Sequence, residues 1–299
     1  MLGKSLGSSE MEISGSTLVY GLIGDPVDHS LSPAIQNAAF RSVGLNAVYL
    51  TFQVRAAELK RAIQGLRSLN VKGFNVTTPH KMAVLRHLDE VETEAAEIGS
   101  INTVKNERNV LVGFNTDGEG ALKAMLDAGM SPDGRTVLLL GAGGAGRVIA
   151  YAFAERGCSL QVANRTVSNA KRLARSLHAN FGLNVKTLTL SRRALKESVT
   201  NSDVILNASS MGMDGKHNPP IERKWIQADQ CVFDIVYRPV QTKLLKDAAF
   251  RGASTVSGLD MLVCQGACSF TLWSGKRAPI AEMRRAVAKK LSSRNAASR

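Results

Sequence analysis

Between Arg135 and about Ser257, short β-branched and aliphatic runs alternate with amphipathic segments, and this alternation restricts the fold more than any other feature of the chain. Thr136–Leu140, Leu160–Ala163, Val185–Leu190, Asp203–Asn207 and Cys231–Ile235 read as buried strands. Ala145–Arg156 and Asn169–His178, which lie between them, have helical spacing. Strands separated by helices return in the same direction, so the pattern predicts a doubly wound parallel sheet covered on both faces. The N-terminal part is also α/β. Leu18–Ile23, Val48–Phe52 and Gly73–Val76 read as strands, with helices near Pro33–Val43 and Ala56–Leu69. Val104 and Val110–Val112 suit a hairpin around Asn106–Asn109, and a helix from about Gly118 to Ala128 follows. Ser131-Pro132-Asp133-Gly134 is then a turn and marks a lobe boundary. At 299 residues the chain suits two lobes, 1–130 and 131–257.

Composition removes several function classes. With 44% hydrophobic and 21% charged residues the chain is globular rather than disordered. No apolar stretch reaches the roughly 20 residues that span a bilayer. Met1–Ser16 is Ser- and Gly-rich, lacks a signal-peptide core and reads as a flexible lead-in, so a cytoplasmic protein with no membrane partner is expected. The four cysteines form no CxxC pair, no His near Cys264 and Cys268 completes a zinc set, and the five histidines lack ligand spacing. Reduced, buried thiols and no metal are the expectation. The net charge of +13 is concentrated. Gly141–Thr200 has ten Lys or Arg against two acids, and Lys276–Arg299 has eight against one. Neither cluster has the aromatics or the module of a nucleic-acid binder, so no such partner is expected. The first suits a polyphosphate ligand, and the second the solvated end of a terminal helix.

Gly141-Ala142-Gly143-Gly144-Ala145-Gly146 follows an apolar strand and opens an apolar helix. In that context G-x-G-x-x-G permits a tight turn, lets backbone N–H groups approach a pyrophosphate, and places that anion at a helix N-terminus. The end of the next strand distinguishes the two nicotinamide cofactors. An NAD site has an acid there for the ribose 2′-hydroxyl, whereas this chain has Asn164-Arg165-Thr166. Arg165 is either a solvated loop cation or the guanidinium that grips a 2′-phosphate; the missing acid favours the second, and NADP.

In the first lobe, Ser30-Leu31-Ser32-Pro33 opens a helix, with Ser32 as N-cap and Pro33 at the first helical position. The hydroxyls of Ser30 and Ser32 serve either as caps or as a carboxylate pocket. In Asn75-Val76-Thr77-Thr78-Pro79-His80-Lys81, Pro79 would start a helix with His80 and Lys81 in its first turn. A cation is disfavoured at that end, which suggests that Lys81 answers to another demand, such as proton donation beside a carboxylate. Asp117, in Gly113-Phe114-Asn115-Thr116-Asp117-Gly118, is that carboxylate or a helix cap. Asn102, in Ile98-Gly99-Ser100-Ile101-Asn102-Thr103, is a neutral amide suited to hydroxyl recognition. His29 and His80 border these segments and are equally well structural neighbours.

Nine segments in order, GDPVDHSLSP, NVTTPHK, IGSINT, GFNTDGEG, GAGGAG, NRT, NASSMGM, DIVYRPVQTKLL and GLDMLVCQGA, resemble the shikimate dehydrogenase family, which includes the quinate/shikimate dehydrogenases. The likeness runs from about Tyr20 to Trp273. It implies NADPH-dependent reduction of 3-dehydroshikimate to shikimate in aromatic amino-acid biosynthesis, by a monomer or homodimer. It also implies that Lys81 and Asp117 are catalytic, that Ser30 and Ser32 hold the ring carboxylate, and that Asn75, Thr77, Asn102 and Asp117 contact ring hydroxyls. Tyr237 and Gln265 would close over the substrate. Asn164, Arg165 and Thr166 would take the 2′-phosphate, and Ile235 and Gly258 would border the nicotinamide. Residues 258–299 would pack back on the first lobe as C-terminal helices. The chain departs from the family pattern at Gln36, Ser100 and Asn169, where His, Ala and a second phosphate-binding Arg are respectively common. Two other readings stay open: an enzyme with the same site that prefers quinate or uses NAD as well, and a sensor that keeps the pocket without the chemistry.

Overall fold

The computed structural model describes residues 13–297, so most of the proposed lead-in lies outside the described residues. In chain order the first half comprises β1 (Leu18–Gly24), α1 (Ser32–Ser42), β2 (Ala47–Gln53), α2 (Leu59–Ser68), β3 (Gly73–Val76), β4 (Glu90–Val91), α3 (Thr93–Ile98), β5 (Thr103–Glu107), β6 (Val110–Phe114) and α4 (Asp117–Asp127). The second half comprises β7 (Thr136–Leu140), α5 (Gly144–Glu155), β8 (Ser159–Ala163), α6 (Val167–Phe181), β9 (Lys186–Leu188), α7 (Arg192–Thr200), β10 (Val204–Asn207), β11 (Cys231–Asp234), α8 (Lys243–Phe250), β12 (Ser254–Ser257), α9 (Gly258–Ser274) and α10 (Ile280–Ala297).

Two six-stranded sheets result. The second, in order β12-β11-β10-β7-β8-β9, is parallel throughout, as the strand–helix alternation predicts. Period-2 geometry explains its cover. Val137 and Leu139 enter one core with Val204, Leu206 and Phe233. Leu138 and Leu140 enter another on the opposite face, with Ile205 and Val232. The first sheet, β2-β1-β3-β5-β6-β4, is mixed, because β5 runs antiparallel to both β3 and β6. The hairpin lies where expected: Arg108 and Asn109 carry its turn at positive φ, and Asn106 Oδ1 accepts the Asn109 N–H at 3.0 Å. Among the elements not named from the sequence, β4, α3 and the edge strand β12 are short or half-exposed and so weak in hydrophobic period.

Helix α9 joins the halves. Met261 and Cys264 enter a core of the second sheet, while Val263, Ala267, Phe270 and Trp273 pack on β1 and α1 of the first. Phe270 is fully buried, and such a side chain contributes on the order of 2–3 kcal/mol. Trp273 donates its Nε1–H to the Val104 carbonyl at 3.0 Å, across the face of Gly73.

Glutamates gather where α3 meets α5. Burial first, then Glu155, Glu92, Glu119 and Glu97, pushes the Glu94 carboxyl up from 4.5 to about 7. Below about 4.5 Glu94 is protonated in both folded and unfolded chains. Between 4.5 and 7 the unfolded chain ionises while the fold retains the proton, so stability declines as pH rises through that window. Glu94 is half-exposed, so solvent screening keeps the effect small. Glu94→Gln is expected to raise Tm by about 2 °C at pH 8 and to leave it unchanged at pH 4, measured by thermal melts at both.

Candidate active site

Register brings the polar residues of the first sheet to one line. Asn75 pairs with Thr103, and Thr103 with Phe114, across three adjacent strands. Residues just beyond that line therefore converge: Thr77 and Lys81 after β3, Asn102 before β5, and Asp117 after β6. The Ile101 N–H bonds to the Lys81 carbonyl at 2.8 Å and pins that loop to its neighbour.

Lys81 Nζ lies 2.6 Å from Asp117 Oδ2. Asn102 Nδ2 donates to Asp117 Oδ1 at 2.8 Å, and Asn102 Oδ1 accepts the Thr116 N–H at 2.8 Å. Asp117 is the first residue of α4, where the helix field favours an anion. Its side chain is 9% exposed against 26% for Lys81, so the carboxylate is fixed from behind and the ammonium faces the opening. Asn75 is held more tightly still: the Tyr49 hydroxyl donates to its Oδ1 at 2.7 Å, and its Nδ2 donates to the Asn102 carbonyl, Thr103 and Ser269, each at 3.0 Å.

The cleft above these groups is also lined by Ser30, Ser32, Thr77, Tyr237 and Gln265, and by Ala145, Ile235 and Gly258 from the second half. Its walls thus come from both sheets. The Ser30 hydroxyl accepts the Ser32 N–H at 3.1 Å. Gln265 is anchored through its Nε2 to the Leu262 carbonyl at 2.9 Å, and Asn102 reaches its Oε1 at 3.4 Å. Tyr237 lies on the loop after β11. Asp234 organises that loop by accepting from Asn207 at 2.9 Å, Thr242 at 2.7 Å and the Val236 N–H at 3.1 Å. Burial raises the Asp234 carboxyl above the ordinary range, against the lowering effect of those donors.

The second sheet aligns its strand ends as neatly. Ala163, Leu140, Asn207, Asp234 and Ser257 form one register line across five strands. The residues immediately after it are Asn164, Gly141, Ala208, Ile235 and Gly258. The chain reverses direction in strand order between β7 and β10, and in open parallel sheets that is where a ligand crevice forms. Gly141 has φ +107°, and a Cβ there would lie 2.9 Å from the Ala208 carbonyl oxygen. A Cβ on Gly146 would lie 2.2 Å from the Gly141 carbonyl oxygen, so this close turn admits only glycine. Gly143 and Gly144 are exposed, with open space where a side chain would be. Their N–H groups are accessible to a diphosphate. Asn164 faces inward: its Oδ1 accepts the Ala142 N–H at 3.1 Å and its Nδ2 donates to the Thr166 carbonyl at 2.8 Å. Arg165 and Thr166 stand exposed beyond it.

Known proteins share this arrangement along nearly the whole chain. Residues 22–104 match the shikimate dehydrogenase substrate binding domain, 121–243 match shikimate / quinate 5-dehydrogenase, and 258–288 match the shikimate 5′-dehydrogenase C-terminal domain. The shikimate dehydrogenase (NADP(+)) of Moorella thermoacetica is 45% identical over 92% of this chain and 94% of its own. The chain belongs to the shikimate dehydrogenase family. Among solved structures, a shikimate dehydrogenase in complex with NADP+ superposes with TM-score 0.87 at 38% identity, covering 96% of this chain and 99% of the other. The Thermus thermophilus enzyme in complex with NADP(H) and shikimate gives 0.83 at 35%, covering 91% and 99%.

Within this shikimate dehydrogenase family chain, two local expectations need correction. Pro79 does not start a helix: Thr78 and Pro79 form a turn that the His80 N–H closes on the Thr77 carbonyl at 2.9 Å, and only a five-residue 3-10 segment, Ala83–His87, follows after a second turn. Lys81 is therefore placed by its bond to Asp117 and by strand-end geometry, not set against a helix dipole. Ser32 is the first residue of α1 rather than its N-cap, which is Leu31 and has no side-chain bond. Asp117 likewise begins α4, with Thr116 before it. His80 is a structural neighbour, buried and bonded through Nε2 to the Val54 carbonyl at 2.6 Å. The thiols meet expectation: all four are free and buried, and burial pushes Cys158, Cys231 and Cys264 up to about 11. Among the described residues no cluster could hold a metal, and no helix is long and apolar enough to cross a membrane.

The supports of the site were not foreseen from the sequence. Tyr49 and Ser269, 220 positions apart in the chain, meet on Asn75. Arg147 and Arg172, beside the glycine turn, also went unremarked. Arg147 was legible, since it directly follows GAGGAG. The Tyr49–Asn75–Ser269 contact needs the register of two sheets and a returning helix, and no local pattern encodes that.

Proposed function

We propose that this protein is an NADP-dependent shikimate dehydrogenase that interconverts 3-dehydroshikimate and shikimate, with Lys81 and Asp117 as its catalytic pair. The observation that carries this reading is the 2.6 Å Lys81–Asp117 contact at the floor of a cleft whose other wall bears Ala145, Ile235 and Gly258. The open N–H groups of Gly143 and Gly144 and the glycine-only turn at Gly141 and Gly146 fit a dinucleotide, which Arg165 and Thr166 would hold at its 2′-phosphate. The bound nicotinamide supplies or accepts the hydride.

The residues of the chain do the rest. Ser30 and Ser32 hold the ring carboxylate, while Asn75, Thr77, Asn102 and Gln265 hold ring hydroxyls. The Lys81 ammonium gives its proton to the ketone oxygen as that oxygen gains negative charge, and takes one back in the reverse direction. Asp117, oriented by Asn102, keeps Lys81 aimed at that oxygen and accepts from a neighbouring hydroxyl. Tyr237 closes the mouth and limits water. Small metabolites and a reduced dinucleotide suit a cytoplasmic monomer or homodimer.

Quinate carries one more ring hydroxyl, and the family description that matches residues 121–243 spans both substrates. Initial rates with shikimate and quinate, each with NADP+ and NAD+, test the proposal. Shikimate with NADP+ is expected to be the fastest pair, and no turnover with any pair would favour the sensor reading. Arg165→Asp replaces a phosphate-gripping cation with a repelling anion. It is expected to weaken NADP+ binding by about 10- to 100-fold with little effect on NAD+. Unchanged discrimination in cofactor titrations would remove Arg165 from the site.

A further inference from the structure

Tyr49 lies behind the cleft, buried in one core with Tyr20, Phe40, Phe270 and Trp273. Its backbone is clamped to α1 from both sides: Asn37 Oδ1 accepts the Tyr49 N–H at 2.8 Å, and Asn37 Nδ2 donates to the Tyr49 carbonyl at 3.0 Å. Its ring packs against that of Trp273, with centroids 6.1 Å apart. Backbone and ring are both held, so the phenol reaches a set point, where it donates to Asn75 Oδ1 at 2.7 Å. Burial raises this phenol well above its ordinary range, and the Ser32 hydroxyl, a donor toward the same oxygen, opposes the rise. Tyr49 therefore stays protonated and remains a donor. It stands between α1, which bears Ser32, and β3, which bears Asn75.

The Asn75 amide shows what the contact controls. Its Nδ2 has two hydrogens and three acceptors around it: the Asn102 carbonyl, the Thr103 hydroxyl and the Ser269 hydroxyl. A carbonyl can only accept, so the nitrogen must face that side. Three acceptors for two hydrogens keep Nδ2 engaged within the chain, and Asn75 meets the cleft through Oδ1. An amide oxygen has two lone pairs. Tyr49 takes one and sets the direction of the other.

We propose that Tyr49 is a positioning residue for substrate: its hydroxyl fixes Asn75 Oδ1 as an acceptor toward a ring hydroxyl and keeps Asn75 in register with the carboxylate-holding start of α1. The inference rests on the shikimate reading above. It concerns binding rather than proton transfer, because Asp117 takes its orientation from the Asn102 side chain and not from Tyr49.

Steady-state kinetics of Tyr49→Phe in the full chain test this, since the substitution removes one oxygen and leaves the ring. Wild-type protein that does not turn over shikimate would defeat the functional reading itself, before Tyr49 is considered. Given wild-type turnover, Tyr49→Phe is expected to raise KM for shikimate about 5- to 20-fold, with kcat within about threefold and KM for NADP+ unchanged. Tyr20→Phe is the comparison. It removes a hydroxyl from the same core, on a ring 5.2 Å from Trp273 and two positions before Leu22, the β1 partner of Asn75. Both parameters are expected to stay within about twofold there. Asn75→Ala, alone and combined with Tyr49→Phe, separates positioning from general loosening. If Tyr49 acts through Asn75, the second substitution raises KM by less than about twofold more, whereas a merely structural loss would multiply in both backgrounds. An unchanged KM in Tyr49→Phe, an equal rise in Tyr20→Phe, or full multiplication in the double variant would each overturn the inference.

Discussion

Lys81→Ala is expected to reduce turnover of shikimate with NADP+ by about 10²- to 10⁴-fold while shikimate affinity changes by less than about tenfold. The split follows from the geometry. On the proposed reading, substrate affinity is distributed over Ser30, Ser32, Asn75, Thr77, Asn102 and Gln265, all of which line the cleft independently of Lys81. On the same reading, the charge developing on the ketone oxygen has Lys81 as the one ammonium among the described cleft-lining residues. Asp117 is expected to stay in place when Lys81 is removed, because Asn102 Nδ2 donates to it at 2.8 Å and the start of α4 favours its charge. The cleft should therefore keep its shape, and Tm should fall little. Steady-state rates give turnover, and titration of shikimate into the variant gives affinity. A variant within tenfold of wild-type turnover would show that the proton comes from elsewhere, and the assignment of Lys81 would fail. Loss of both binding and turnover would mean that Lys81 holds substrate rather than protonates it.

What could be read from the sequence follows the range of the interactions. The parallel sheet was legible because five of its strands are local apolar runs and the first two helices between them have local spacing, while the half-exposed edge strand β12 lacks such a run. The glycine turn was legible for the same reason: six consecutive residues between a strand and a helix carry it. Lys81, Asn102 and Asp117 each stood out beside a strand end, but their meeting depends on β5 pairing antiparallel with both neighbours, which no local pattern states. The error at Pro79 has the same origin. A proline before a polar pair resembles a helix start, yet strand-end packing holds Lys81 through the Ile101 N–H instead. The least legible part was α9. Its sequence is apolar nearly all round, consistent with burial between two cores, but nothing within it says which side faces which sheet.

The α9 contact yields the second large effect. A Cβ on Gly120 would lie 2.5 Å from Gln265 Cβ and 2.7 Å from both Gln265 Cα and its backbone nitrogen. Two of these are backbone atoms of a buried helix, and no rotamer change moves the third, so α4 and α9 would have to separate. Gly120→Ala is expected to cost about 3 kcal/mol, near the upper end for overpacking, and to lower Tm by roughly 6–12 °C. The effect should reach the site, because α4 begins at Asp117 and Gln265 lines the cleft. Any folded fraction should show a raised KM for shikimate. Helix propensity alone predicts the opposite sign, since alanine is favoured over glycine inside a helix by about 1 kcal/mol. Gly65 supplies the comparison: it lies within α2, and a Cβ there would meet nothing within 4 Å, so Gly65→Ala should be neutral or stabilising. Thermal melts of the two variants separate propensity from packing. If Gly120→Ala melted at or above the wild-type temperature, α4 and α9 would not be in backbone contact, and the path by which α9 brings Gln265 to Asn102 would have to be redrawn.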